Sequence, residues 1–271
     1  MIASMANAQI KHIQKLMKQP RTRRQEQVFV VEGWKMVGEA LVRSLVLYLY
    51  VKESEKDTFV SHLQELGCAA LSADVPVEIV ADSVFRQLSD TVTPQGILAM
   101  VQMPHYSREE ILLGNAGGVY KETKVLVLED IQDPGNMGTI LRTAEGAGMS
   151  GVILSKGCVD VFNPKVVRST MGGLFRVPFY VCEDVVSEMV DLHGRGFSFY
   201  AAHLQGKENY CRVSYDGKVG ILIGNEAKGL SDPVADLADV KVKIPMEGEL
   251  ESLNAAVSAA LFSYEVWRCC R

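Results

Sequence analysis

The sequence predicts a two-part α/β protein whose larger, C-terminal part carries a mostly parallel sheet. Three observations lead there. Short, mostly continuous apolar runs at 125–128, 151–154, 197–201, 219–223 and 240–244 recur between helical or loop patterns, as strands covered on both faces do. The first hundred residues alternate strand-like and helix-like segments of their own. Between the two parts, Pro104 to Lys121 holds Gly114, Gly117 and Gly118 and reads as a linker, with a helical turn at Arg108 to Leu113. The expected division is therefore a small α/β domain at 1–105, a linker at 106–121 and a larger α/β domain at 122–271.

Composition sets the class. At 271 residues and 48% hydrophobic content the chain can fill two ordinary cores. No apolar run approaches the roughly eighteen residues of a spanning helix, and the N-terminus lacks a charged-then-apolar leader pattern. A cytoplasmic protein without membrane contact is expected. Cys68, Cys158, Cys182, Cys211, Cys269 and Cys270 form no CxxC and have no nearby histidine pair, so reduced thiols and no metal site are expected. The formal charge is −5, yet residues 1–27 hold Lys11, Lys15, Lys18, Arg21, Arg23 and Arg24 against Glu26 alone, a local +5. Such asymmetry suits a basic arm that meets phosphates; a solvated helix and loop would look the same.

Taken in order, Ile10, Ile13, Leu16 and Met17 share one face of a short helix, with the lysines outside it, and Pro20 to Arg24 reads as an exposed, arginine-rich loop. Val28 to Val31 is a strand that Glu32-Gly33 ends, and Trp34 to Val42 has helical spacing. Leu45 to Val51 and Glu78 to Val80 read as strands, Lys56 to Leu66 and Asp82 to Leu88 as helices, and the turn Thr93-Pro94-Gln95-Gly96 precedes a strand at Ile97 to Val101.

In the second part, the strand Val125 to Leu128 opens into Glu129-Asp130-Ile131-Gln132-Asp133-Pro134-Gly135-Asn136-Met137-Gly138. A helix follows with Ile140, Leu141, Ala144 and Ala147 on its buried face and Arg142 off it. Loops at the carboxyl ends of strands are where open α/β sheets bind ligands. Gly146 to Gly151 matches GxGxxG, but the glycines follow a helix and precede a strand, the reverse of a phosphate cradle. They read as a helix C-cap and a tight loop. Asn163-Pro164 starts a helix carrying Lys165 and Arg168, which could meet phosphate or simply face water. His203, beyond the strand at 197–201, could be a base, but a lone histidine at a strand end reads as structural or solvated. In Ile221 to Leu230 a buried strand opens directly into Gly224, Asn225 and Glu226.

The chain ends in KVKIPMEGELESLNAAVSAALFSYEVWRCCR. Val240, Val242 and Ile244 alternate with lysines and Pro245 stops that strand. Leu253, Ala256, Val257, Ala260, Leu261, Tyr264 and Trp267 then form one stripe along a helix, a face expected to be buried. Polar residues are oversupplied at the start of this helix, in Glu251-Ser252-Leu253-Asn254, with Asn254 read as lying one turn inside. The alanines keep the helix slim enough for a ligand or a second subunit to approach.

The segments DPGNMGTILRTAEG, ILIGNEAKGL and IPMEGELESLNAAVSAALFSYE resemble, in order and spacing, the three signature motifs of SpoU/TrmH-type RNA 2′-O-ribose methyltransferases of the SPOUT superfamily. The resemblance covers Lys121 to the end. FVVEGWKMVGEAL, after the basic stretch, resembles the ribosomal-protein-like RNA-binding domain that often precedes this catalytic domain.

The resemblance implies an α/β knot, with the C-terminal part of the sheet threaded into a trefoil. It implies S-adenosylmethionine held by Gly224, Ile244, Met246, Ser252, Leu253 and Asn254, and a homodimer packed through the last helix. It also implies transfer of a methyl group to a ribose 2′-hydroxyl, of ribosomal RNA first and transfer RNA second. By the same resemblance Arg142 acts on the hydroxyl, Asn136 supports it, and Glu226 orients Arg142 or the third motif. An arginine base is chemically awkward because its pKa is above about 12, so positioning is the better role. Lys11, Lys15, Lys18, Arg21, Arg23, Arg24, Lys165 and Arg168 are the candidate RNA contacts. The alternatives are a non-catalytic RNA-binding or ribosome-assembly factor on the same scaffold, and an enzyme that methylates a base.

Overall fold

Residues 1–113, 121–250 and 252–270 are described by the computed structural model. The linker glycines Gly114, Gly117 and Gly118, and Glu251, lie outside them. In chain order the main elements are α1 (Ala8–Lys18), α2 (Pro20–Glu26), β1 (Val28–Glu32), α3 (Trp34–Val42), β2 (Val46–Lys52), α4 (Phe59–Glu65), β3 (Val77–Val80), α5 (Asp82–Leu88), β4 (Ile97–Gln102) and α6 (Arg108–Leu112). They continue as β5 (Lys124–Leu128), α7 (Pro134–Gly146), β6 (Gly151–Leu154), α8 (Pro164–Ser169), β7 (Phe179–Val181), α9 (Val185–Gly194), β8 (Phe197–Ala202), β9 (Glu208–Asn209), β10 (Lys218–Ile223), α10 (Asp232–Asp236), β11 (Val240–Lys243) and α11 (Ala255–Cys269). Among the described residues no helix is long and apolar enough to cross a membrane.

The chain forms two compact units, and the first is not a simple N-terminal block. It comprises residues 1–105 together with 160–175. Its sheet runs β1-β4-β2-β3, antiparallel except between β2 and β3. Ile10, Ile13 and Leu16 of α1 pack beneath it with Val28, Val30, Phe85 and Leu98. The stretch expected as a basic loop is instead the helix α2. Pro20 sits at its first turn, where a missing N–H costs nothing, and Gln27 closes it in the left-handed conformation. The returning segment 160–175 carries α8 and docks on β1, where Phe29 packs against Phe162 and Phe175 with ring centroids 4.9 and 6.1 Å apart.

The second unit, residues 106–159 and 176–271, holds a sheet in the order β7-β6-β5-β10-β8-β11-β9, parallel throughout. The five expected strands are all present. β7 and β9, of three and two residues, are too short to leave a periodic signal. From β5 the chain leaves toward β6 and β7, while β10 lies on β5's other side and leads toward β8 and β11. The loops after β5 and β10 therefore diverge at adjacent carboxyl ends, the switch point where open α/β sheets form a crevice. The GxGxxG segment ends α7 and begins β6, with Gly148 at φ +71°, as its reversed context predicts.

α11 packs on α7 and β10 through Ala255, Ala256, Ala259, Phe262, Ser263 and Val266. This corrects the expected buried stripe. Val257 and Tyr264 are 47% and 49% exposed, and with Ala260, Leu261, Trp267, Tyr210 and Thr139 they line an open apolar groove. The helix is apolar on more than one side, so spacing alone cannot choose which side meets the core.

Candidate active site

Each of the three polar junctions is braced by its own backbone. After β5, Asp133 caps α7 by accepting the Asn136 N–H at 2.8 Å, and Pro134 occupies the first turn. This places the Asn136 side chain on the exposed first turn. After β10, Gly224 approaches the chain so closely that a Cβ would stand 2.2–2.5 Å from the Gly229 and Leu230 backbone. Asn225 closes this loop: its Oδ1 accepts the N–H groups of Ala227 and Lys228 at 3.0 Å, and its Nδ2 donates to the Asp130 carbonyl at 2.7 Å. The loop after β10 is thus stitched to the loop after β5.

Glu226 makes the second stitch. Its carboxylate accepts the Asn136 Nδ2–H at 2.9 Å and the backbone N–H groups of Gln132 and Asp133 at 3.2 Å. Burial alone would raise the Glu226 carboxyl, but these hydrogen bonds outweigh it and hold the group below the usual carboxylate range. The third motif joins through Asn254, which is the N-cap of α11 and does not lie inside the helix. Its Oδ1 accepts the Ala256 and Val257 N–H groups while its Nδ2 donates to Asn136 Oδ1 at 2.8 Å. One hydrogen-bonded chain, from the Glu226 carboxylate to the amides of Asn136 and Asn254, links all three motifs. Glu226 therefore reaches the third motif through Asn136, and among the described residues none of its hydrogen bonds is to Arg142.

Beside this chain lies a cavity of about 750 Å³. Gly224, Ile244, Met246, Ser252 and Leu253, five of the six residues expected to hold the cofactor, line it. The sixth, Asn254, is committed to the helix cap and to Asn136. Sequence reading missed part of the wall. His203 and Gln205 come from the β8–β9 connection, Asn209 from the two-residue β9, and Phe262 from inside α11. Phe262 has a helical signal, at i+8 from Asn254, but His203 and Gln205 sit in a loop without a pattern and Asn209 in a strand too short to leave one. His203 is held rigidly: its backbone N–H donates to the Val242 carbonyl, its Nδ1 accepts the Gln205 N–H at 3.2 Å, and a Cβ at Gly206 would meet the Lys241–Lys243 backbone at 2.6–2.8 Å. Arg142 is exposed on α7, and among the described residues it has no hydrogen-bond or ion-pair partner, so the fold does not consume its guanidinium.

The candidate RNA contacts divide. Lys11, Lys15 and Lys18 lie exposed on α1, Arg21 and Arg24 on α2, and Lys165 on α8. Arg23 is only 1% exposed. It donates to the carbonyls of Leu16 and Met17 and to Asp160 Oδ2 from Nε and Nη2, which makes it a core ion pair and removes it from the phosphate candidates. Arg168 is tied to Asp90, both Nη atoms donating to Oδ2 at 3.0 Å.

Residues 123–264 match the model of the SpoU rRNA Methylase family, and residues 7–99 match an MRM3-like substrate binding domain. The chain belongs to the SpoU rRNA methylase family. Over 98% of both chains it is 31% identical to the 23S rRNA (guanosine(2553)-2′-O)-methyltransferase RlmP of Bacillus subtilis. Two solved SpoU-type structures superpose along its length. The AdoMet-bound rRNA methyltransferase of Sinorhizobium meliloti has a TM-score of 0.82, 28% identity and coverage of 98% of this chain and 97% of that one. The SpoU methyltransferase AviRb of Streptomyces viridochromogenes, in complex with AdoMet, has a TM-score of 0.81, 26% identity and coverage of 97% and 98%. This SpoU protein is an RNA 2′-O-ribose methyltransferase that uses S-adenosylmethionine.

The residues present fit that cofactor. The cavity volume falls within the roughly 300–1,000 Å³ of small-molecule sites. Its wall offers an apolar slot from Ile244, Met246 and Leu253 for a purine, and backbone edges at Gly224 that no side chain screens.

Proposed function

We propose that this SpoU enzyme methylates a ribose of ribosomal RNA in the cytoplasm, as a homodimer, with Arg142, Asn136 and Glu226 as its working polar groups. The observation that carries the residue roles is the hydrogen-bonded chain from the Glu226 carboxylate through Asn136 to Asn254 beside the cavity. S-adenosylmethionine, when bound, supplies an electrophilic methyl group on a sulfonium. Gly224, Ile244, Met246, Ser252 and Leu253 hold it, and Asn254 keeps the cavity wall in register with α7.

A ribose hydroxyl is a weak nucleophile, and in-line placement is the main gain a protein can give it. The Arg142 guanidinium places the ribose through a neighbouring phosphate and favours charge building on the attacking oxygen. Asn136 has its carbonyl and one N–H engaged, and acts by fixing the first turn of α7, the helix that carries Arg142. Glu226, ionised, anchors Asn136.

Two further elements of the reading concern assembly. The apolar groove of Val257, Leu261, Tyr264 and Trp267 is what a second copy of α11 would cover, and the close backbone crossings at Gly224 and Gly206 suit a chain threaded into a trefoil. The exposed cations of α1, α2 and α8 face the RNA backbone. The test is labelled S-adenosylmethionine with unmodified ribosomal and transfer RNA, comparing wild type and Arg142→Ala by nucleoside mass spectrometry. A 2′-O-methyl nucleoside in ribosomal RNA, made by wild type and lost in the variant, is expected. Methyl on a base, or on transfer RNA alone, would overturn the reading.

A further inference from the structure

Three of the six cysteines gather at one place in the second unit. Cys269 and Cys270 close α11, and Cys211 sits in the short turn Tyr210–Arg212, which packs against that helix. All three are free thiols, and Cys211 is exposed. The turn is held firmly. The Tyr215 hydroxyl donates to the Tyr210 carbonyl at 2.7 Å, and the Tyr210 ring packs on Phe262 of α11 with centroids 5.7 Å apart. The buried Lys124 ammonium donates to the Tyr215 and Gly217 carbonyls. On the helix side the Cys269 thiol donates to Glu265 Oε1 at 3.6 Å. Cys211 and Cys269 share two neighbours: each lies close enough to the Arg268 guanidinium and to Tyr215 to act on them electrostatically. Cys270 lies instead against the Tyr215 carbonyl, to which its thiol donates at 3.3 Å, and beside Tyr200.

We propose that Cys211 and Cys269 form a reversible disulfide, a modification site that clamps the Tyr210–Arg212 turn to the end of α11. The co-reactant is a low-molecular-weight disulfide such as glutathione disulfide. Cys211, the exposed thiol, attacks it as the thiolate: one S–S bond breaks, a mixed disulfide forms at Cys211 and one glutathione thiolate leaves. Cys269 then attacks the Cys211 sulfur, its proton passing by way of Glu265 to water, and expels the second glutathione thiolate. Two protein thiols are oxidised, and the glutathione disulfide is reduced to two thiols. Burial first and Glu265 second push the Cys269 thiol above its ordinary value, which makes Cys211 the point of entry. In a reducing compartment the bond forms only when the disulfide pool rises, as transient cytosolic disulfides do. The clamp bears on the site because Asn209, next to the turn, lines the cofactor cavity and Tyr210 lines the apolar groove of α11. One bond restrains both walls.

The test uses the whole chain, reduced and folded. Wild type, Cys211→Ser, Cys269→Ser and Cys270→Ser are equilibrated in glutathione buffers of rising disulfide fraction, alkylated, digested and mapped by mass spectrometry. Wild type and Cys270→Ser should yield a linked pair of peptides carrying Cys211 and Cys269. Their Tm should rise by about 5 °C, because the bond closes a loop of about 60 residues. Cys269→Ser should stop at a glutathione adduct on Cys211, and Cys211→Ser should give no linked pair. The inference is overturned by a wild type that forms no linked pair at any ratio, by a Cys269–Cys270 bond in its place, or by a covalently linked dimer on a non-reducing gel. A linked pair whose formation lowers Tm would overturn the clamp as well. None of these readouts uses RNA or methyl transfer, so the result is independent of whether ribosomal RNA is the substrate.

Discussion

Asn254 donates its side-chain amide to the side-chain carbonyl of Asn136 at 2.8 Å, across 118 residues of sequence. The same side chain caps α11, so a single residue fixes where the last helix begins and where the first motif stands. The two duties can be separated. Asn254→Asp keeps a capping oxygen but loses the N–H and brings a second anion toward the Asn136–Glu226 pair. Its Tm should stay within a few degrees of wild type while kcat/KM falls about tenfold or more. Asn254→Ala loses both and should also lose about 1 kcal/mol of stability, read from thermal and denaturant melts.

Glu226 has a definite pH signature. Its folded pKa lies below the unfolded value, so its contribution to stability is present above the unfolded value, about 4.3, and is lost as pH falls through the folded one. Melting temperatures of wild type and Glu226→Gln should differ by a constant amount from pH 6 to 8 and converge on acidification below pH about 4. Near pH 7 the variant, left with an amide N–H facing backbone donors, should lose about ten- to a hundredfold in kcat.

Arg142 carries no structural duty, so its loss should leave the fold untouched. Arg142→Ala should melt with wild type, bind S-adenosylhomocysteine as wild type does, and lose at least about a hundredfold in methyl transfer. Arg142→Lys keeps the charge but not the planar fork, and should recover little of the activity. Comparable rates for Lys and Arg would mean that charge alone suffices.

Arg23 and its neighbours Lys15 and Arg21 should behave oppositely. Breaking the Arg23–Asp160 pair by Arg23→Ala leaves a partly buried carboxylate and two unpaired carbonyls and should cost about 3 kcal/mol in denaturant melts. Lys15→Ala and Arg21→Ala should leave stability unchanged, weaken RNA binding, and each reduce the slope of log K against log salt by about 0.7–0.9.

The groove on α11 gives the assembly test. Val257→Asp places a charge on its most exposed aliphatic position and should convert a particle of twice 29.8 kDa into one of 29.8 kDa in sedimentation, with the sheet's circular dichroism unchanged. A monomeric wild type would remove the groove's assigned occupant.

Much of the catalytic unit could be read from residues because strands buried on both faces announce themselves as apolar runs, and because glycine, proline and asparagine directly after a strand mark a crevice. The junction at Gly224 was legible for that reason, whereas Ile244, Met246, Ser252 and Leu253 became cofactor candidates only through the resemblance of their segments to the family's motifs. His203 was not, since a loop histidine carries no periodic signal and becomes a wall residue only through its hydrogen bonds to β11 and Gln205. Arg23 was misread because a cation in a basic run looks like its neighbours; only the third dimension supplies Asp160. The stripe on α11 was misread because alanine at small-residue positions is as compatible with the core as the larger residues beside it.

The return of residues 160–175 to the first unit bears on modularity. A cut at residue 105 would not release a ready-made RNA-binding cassette, because the fragment would lack Asp160, Phe162 and Phe175 and leave Arg23 charged in a half-finished core. The strand-to-strand connection between β6 and β7 is thus part of the binder's own fabric. Exchanging binding modules between relatives of this enzyme would require grafting two separate stretches of gene at once.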